Sequence, residues 1–197
     1  MTTRMQAGAA ALVMSLWTGV ALAQFPCPAG TVLVASAASA AAGTLTIAPN
    51  GGIESFAGEG LIVEVCITCD GAPLPGVPAP LITVGGPGLV FCPFGNIADG
   101  PTDAFGCTFF TGPLEGGGCA PALDVFVAGL YIATVPIAIN SPDTGTASPL
   151  FVDASDLARL APALGAAGLP CLDWDEDGFI AAGDIAYMAA LLGADCP

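Results

Sequence analysis

The sequence predicts a mainly β fold, a β-sandwich, closed by a small two-helix module. Two textures carry that prediction. From Thr44 to Asn140 short apolar runs alternate with Gly, Pro, Asn and Asp turn signals, without the helical stretches that βαβ units would place between strands. From Ser141 onward apolar residues recur at helical spacing, and the pattern is present twice.

Residues 1–23, "MTTRMQAGAAALVMSLWTGVALA", hold one cation (Arg4), an apolar run and Ala21-Leu22-Ala23 before Gln24. This is the layout of a secretory signal peptide, so cleavage before Gln24 is expected. The apolar run is short for a span of about 20 residues and no second candidate follows, so no membrane span is expected after cleavage. A lipoprotein signal would need Cys where Gln24 stands. All 8 cysteines lie beyond that point, and an even number in an exported chain implies disulfides. Cys66-x-x-Cys69 lacks the second CxxC and the His of a zinc site, and the βαβ setting of a redox motif. One pairing is expected, Cys171 with Cys196, joining the entrance of the last loop to the end of its helix.

Once Arg4 is removed, Arg159 alone faces 17 Asp and Glu, a net charge of about −16. Nucleic acid and anionic membrane surfaces need a basic face and are excluded as partners; cations are the simplest partners of such an excess. With 54% hydrophobic and 10% charged residues the chain is not of the disordered class.

In chain order, residues 24–43 are rich in Ala, Ser and Gly and are expected to form a loosely packed arm. Residues 44–140 offer seven strand candidates: "TLTIA", "LIVEVCI", "LITV", "LVFC", "CTFF", "LDVFV" and "LYIATVPIAI". Ala128-Gly129 predicts a tight hairpin, and Pro136 predicts that the last run lies at an edge or breaks there. The stretches "VEVCITCDGAPLPGVPA", "DGPTDAFGCTFFTGPLEGGGC" and "LDVFVAGLYIATVPIAINSPD" are similar to the bacterial immunoglobulin-like domains of the invasin and intimin type. That resemblance covers about half of the chain. It implies an immunoglobulin-like sandwich serving as a spacer or adhesive module, with function carried by loops or edges.

In residues 141–197, "FVDASDLARLAPALG" (151–165) matches "FIAAGDIAYMAALLG" (179–193) at an offset of 28, with seven of fifteen pairs identical. The chain therefore carries a duplicated unit. Leu157, Leu160 and Leu164, and Ile185, Met188 and Leu192, are expected to form the buried faces of two short helices that pack on each other. Gly165 and Gly193 are natural stops, and Pro162 is expected to shorten the first helix.

Before the second helix, "DWDEDGFIAAGD" places Asp173, Asp175, Asp177, Gly178, Ile180 and Asp184 at positions 1, 3, 5, 6, 8 and 12 of a calcium loop. Calcium takes six to eight oxygens, so alternating carboxylates wrap it. Gly permits the turn, the Phe179 carbonyl adds a ligand, and a last carboxylate can bind through both oxygens. Ile180 ties the loop to the core, and Glu176 is expected to face solvent. The smaller, rigidly octahedral magnesium suits this loop poorly.

The loop-then-helix unit, given twice, resembles the dockerin module, whose calcium loops end in Asp and lead into one helix each. In the first repeat Gly145, Ala147 and Pro149 replace the three aspartates. Asp143 serves as a first ligand there only if the loop is about two residues longer. One good calcium site is expected, with Asp143 and Asp156 forming at most a weak second one. Dockerins bind cohesins, but here Ala182-Gly183, Ala154-Ser155 and Ala189-Ala190 stand where hydroxyl and basic contacts are common. Docking onto the chain's own β domain or another subunit is the competing expectation.

No His and no mature Lys are present, and no G-x-S-x-G. Carboxylates for glycoside hydrolysis remain among Glu54, Glu59 and Glu64, without an evident cleft. No catalytic residues are assigned. The expected protein is a secreted or cell-surface, non-catalytic, calcium-binding structural or adhesive protein. The alternatives are a cohesin-binding or polysaccharide-associated scaffold component, and a self-assembling fibre subunit whose donated strand would be "GTLTIA".

Overall fold

A computed structural model describes residues 27, 32–51, 54–144, 150–167 and 169–197; the expected signal peptide lies outside the described residues. Among the described residues the chain is mainly β with two short helices. Its strands are β1 (Leu33–Ser39), β2 (Gly43–Thr46), β3 (Val63–Cys69), β4 (Ala72–Pro73), β5 (Ile82–Gly85), β6 (Leu89–Phe91), β7 (Cys107–Phe110), β8 (Gly116–Gly118), β9 (Leu123–Val127), β10 (Leu130–Val135) and β11 (Ile137–Asn140). Each of the seven expected runs contains a strand. Among the described residues β1, β4 and β7 pair with β3, β9 lies between β10 and β5, β2 pairs with β11, and β6 with β8.

Alternation buries one side of β3 (Val63, Val65, Ile67), β5 (Ile82, Val84) and β9 (Leu123, Val125, Val127). These side chains join Leu45, Ile47, Phe56, Phe110, Ile137 and Ile139 in one hydrophobic cluster. Each contributes about 2 kcal/mol relative to exposure. The Ala128-Gly129 hairpin is present: Val127 pairs with Leu130, and both turn residues have positive φ (51° and 77°). Pro136 breaks its run as expected. β10 stays with β9, while β11 leaves to pair in parallel with β2.

Part of the expected arm is a strand. β1 pairs with β3 over seven residues, and Leu33, Ala35 and Ala37 pack on the core. The weak β propensity of Ala hides this in the sequence, yet small side chains on alternate positions pack where the neighbouring strand supplies the bulk. The expected donor strand is also committed within the chain. β2 is in register with β11 from Gly43↔Ile137 to Thr46↔Asn140, with Leu45 and Ile47 buried, so "GTLTIA" is not available for donation.

The helices are α1 (Ala154–Leu160) and α2 (Ala182–Leu191). α1 ends just before a 3-10 turn, Ala161–Ala163, that contains Pro162, whose ring cannot continue the α ladder. The duplication is visible in the backbone bonds. Val152 N donates to Ala194 O and accepts at its carbonyl from Gly193 N, while Ile180 N donates to Ala166 O and accepts from Gly165 N. Every partner is displaced by 28 residues, so the two units are exchanged across a local pseudo-two-fold.

The expected helix faces need correction. Leu160 and Met188 are buried, but Leu157, Leu164, Ile185 and Leu192 are exposed. The buried positions of α2 are Asp184, Met188 and Leu191, and those of α1 are Asp156 and Leu160. Buried carboxylates that accept backbone N–H groups set the rotation of each helix, a term that hydrophobicity alone does not register. Leu160, Ile180, Met188, Leu191 and Val152 pack around the fully buried Trp174, together with Ala48 from the β part.

The expected Cys171–Cys196 bridge is also corrected. The pairs are Cys27–Cys69, Cys66–Cys107, Cys92–Cys196 and Cys119–Cys171. α2 has 10 residues and carries the chain about 15 Å away from its loop. Each end of the unit is then held by the β part: Cys171 lies at the end of β8, and Cys196 beside the loop after β6.

Candidate metal centre

Carboxylate oxygens of Asp173, Asp175 and Asp177 lie within 4.8 Å of one another. The loop bends them together through its own N–H groups. Gly178 N donates to Asp173 Oδ2 (2.9 Å), Asp177 N to Asp175 Oδ1 (3.4 Å) and Phe179 N to Asp177 Oδ1 (2.8 Å). Glu176 (φ 56°) and Gly178 (φ 88°) take the left-handed conformation. Glu176 is exposed, as expected, and the Thr44 side chain of β2 acts to lower its carboxyl. Desolvation and the charges of Glu54, Glu59 and Asp173 raise its carboxyl above the usual value.

Two observations fit a cation here. Asp173 Oδ1 is buried and has no hydrogen-bond partner among the described residues, and burying a charged oxygen uncompensated is costly. A Cβ on Gly183 would overlap Asp175 Oδ2, so glycine is the residue that lets Asp175 approach the start of α2. Desolvation, then the nearby charges of Asp184, Asp177 and Asp173, raise the Asp175 carboxyl, against the lowering effect of the Asp177 N–H. A divalent ion would relieve that repulsion.

Asp184 stands outside the group of three. It is fully buried, and its Oδ1 accepts from Trp174 N (2.6 Å) and its Oδ2 from Ala181 N (2.8 Å). It thereby ties the second loop residue to the start of α2 and keeps one further lone pair on each oxygen. Phe179 is placed by its N–H on Asp177 and by a bridge to Ala167. Its side chain is exposed.

The first repeat keeps the closing carboxylate. Asp156 Oδ1 accepts from Thr144 N and Oγ1, both at 3.1 Å, and Oδ2 from Asp153 N at 3.0 Å. Thr144 thus plays the part of Trp174, and the first loop is two residues longer, as Asp143 required. Residues 145–149 lie outside the described residues. Asp143 is buried, and no group of three acidic residues includes it or Asp156 among the described residues. Arg159 Nη1 donates to the Thr144 carbonyl and hydroxyl.

Of the three glutamates considered for hydrolysis, Glu54 is engaged on both oxygens, by Thr46 N (2.5 Å) and the Tyr187 hydroxyl (2.9 Å). Tyr187 is pushed up to about 12 by desolvation, by this bond and by the charges of Glu54, Glu59 and Asp175. Glu64 lies on β3 beside the Cys66–Cys107 bridge. Comparison with family models, curated proteins and solved structures gives no match.

Sequence reasoning placed Gly183 only as a contact position for a partner. Its overlap with Asp175 depends on how α2 starts, which no spacing rule encodes. Gly183→Ala is expected to weaken calcium binding at least tenfold, about 1.4 kcal/mol, while the four disulfides still form. Calcium titration with peptide mapping checks this.

Proposed function

We propose that the protein is an exported, non-catalytic, calcium-binding structural or adhesive protein. In this reading an immunoglobulin-like β domain carries a dockerin-like module as a calcium-dependent docking element. The observation that carries it is the convergence of Asp173, Asp175 and Asp177 around Asp173 Oδ1, which is buried and has no hydrogen-bond partner among the described residues. With the Phe179 carbonyl and Asp184, these residues supply the hard oxygen ligands that calcium prefers. Four disulfides support an oxidising compartment. Among the described residues no helix is long and apolar enough to cross a membrane.

The docking role is supported by side chains left in solvent. Phe151, Leu157 and Leu164 and their repeat mates Phe179, Ile185 and Leu192 are all exposed, a larger apolar display than a module this small needs for its own core. A cohesin-like or polysaccharide-associated partner and a fibre of like subunits are the competing occupants, separated by pull-down and by the size distribution of the mature protein. The calcium reading is tested by calorimetric titration of the mature, oxidised chain with calcium chloride. A stoichiometry near one is expected, and absence of binding at millimolar calcium overturns it.

A further inference from the structure

The entrance of the acidic loop is held from outside by the β part. Asn140, at the end of β11, is 1% exposed. Its Nδ2 donates to Pro170 O (3.2 Å) and to Asp173 O (3.1 Å), spanning the two residues on either side of Cys171-Leu172. Cys171 itself is bonded to Cys119, and Thr46 Oγ1 reaches Trp174 O (3.5 Å) from the neighbouring strand. A carboxamide nitrogen carries two hydrogens and can hold two carbonyls at once, which no hydroxyl or carboxylate can do.

From this geometry we infer that Asn140 is a positioning residue for the metal loop, and that the β part is thereby a component of the calcium site. The inference rests on the calcium reading above. Asp173 is the first residue of the loop, and its carboxylate is aimed into the cluster by Gly178 N on one side only. Its main chain is fixed on the other side by Asn140. Without that anchor the residues from Pro170 to Trp174 sample more arrangements, and the ion must select among them on binding. Outer partners that orient ligands in this way are worth about ten- to hundredfold in metal affinity.

The experiment uses the full mature chain with its disulfides formed, titrated with calcium by calorimetry and with terbium through luminescence sensitised by Trp174, the one tryptophan beyond residue 23. Asn140→Leu keeps the shape and removes both donors; Asn140→Ser keeps one. Val84→Ala, in the β core and away from the loop, serves as the control for general destabilisation. The expected result is a rise of about tenfold or more in Kd for Asn140→Leu and a smaller rise for Asn140→Ser. The terbium lifetime in the Leu variant should shorten through an added coordinated water, and Val84→Ala should keep the parental Kd and lifetime. If Asn140→Leu fails to fold, the Ser variant carries the test alone. Unchanged affinity and lifetime in the folded Asn140 variants overturn the inference, as does an equal loss in Val84→Ala. Failure of the parent chain to bind either ion overturns the calcium reading itself.

Discussion

Chelating calcium from the mature protein is expected to produce a separate, low-temperature unfolding step confined to the helical part. The β core and the cluster around Trp174 share no residue, so each can lose its packing while the other persists. The second cluster is small and rests on the loop. Ile180 lies in it, and Asp184 links Trp174 N to the α2 start. Remove the ion and three carboxylates within 4.8 Å repel one another, opening the segment that carries Trp174. Where free calcium exceeds Kd a thousandfold, the lost stabilisation is about 4 kcal/mol, a large share of what a module of this size can hold. Trp174 is fully buried, so its emission should shift to the red in EGTA, before the far-UV signal of the strands changes. Asp175→Ala should behave as the chelated protein does. A single transition, unmoved by EGTA, would remove the ion from any part in the fold.

The β runs were legible because alternation and turn residues agree in each of them, from Val63 to Ile67 and from Leu123 to Val127. β1 and β8 were not. β1 is mostly Ala and Ser, and β8 is three glycines that stand where any Cβ would meet the backbone of Gly88 or of β6, or Asp143. Their strand character comes from tertiary crowding rather than propensity. The convergence of Asp173, Asp175 and Asp177 was legible because the acidic residues follow a fixed spacing with Gly178 and Ile180. The helix rotation was not, since the residues that set it, Asp156 and Asp184, count as polar in a search for apolar faces.

The repeat explains why one register served for the helices and failed for the first loop. From Phe151 onward the two units align at 28 residues, and the hydrogen bonds of Val152 and Ile180 repeat at that spacing. Upstream, the equivalence of Thr144 with Trp174 runs at 30, because both are fixed by the closing carboxylate and not by sequence order. Chain between those anchors was free to lengthen. That is the segment in which the aspartates of the second repeat have no counterpart.

Removing either disulfide that ties the two parts together is expected to cost about 4 kcal/mol. Cys92–Cys196 spans 104 residues and Cys119–Cys171 spans 52, the second nested within the first. In the chain-entropy picture an isolated loop of about 100 residues is worth about 4.7 kcal/mol. With the inner bridge intact, the outer one closes a shortened path of about 52 residues (104 less 52), which lowers its share to about 4 kcal/mol. Cys92→Ala/Cys196→Ala and Cys119→Ala/Cys171→Ala should therefore lose similar stability in denaturant melts, and their effects should not add, because each bridge shortens the loop the other closes. They should differ in calcium binding. Cys171 stands two residues before Asp173, so the inner pair should weaken the site, whereas Cys196 follows α2 and its loss should leave affinity nearly unchanged. The connectivity can be read first by cleavage before aspartate without reduction. Residues 195–197 should remain attached to the peptide 70–98, which contains Cys92, and residues 156–172 to the peptide 103–123, which contains Cys107 and Cys119 and is itself held through Cys107–Cys66 to the peptide that ends at residue 69. Recovery of 195–197 joined to 156–172 would restore the Cys171–Cys196 bridge and detach the helical part from its covalent hold on the β core.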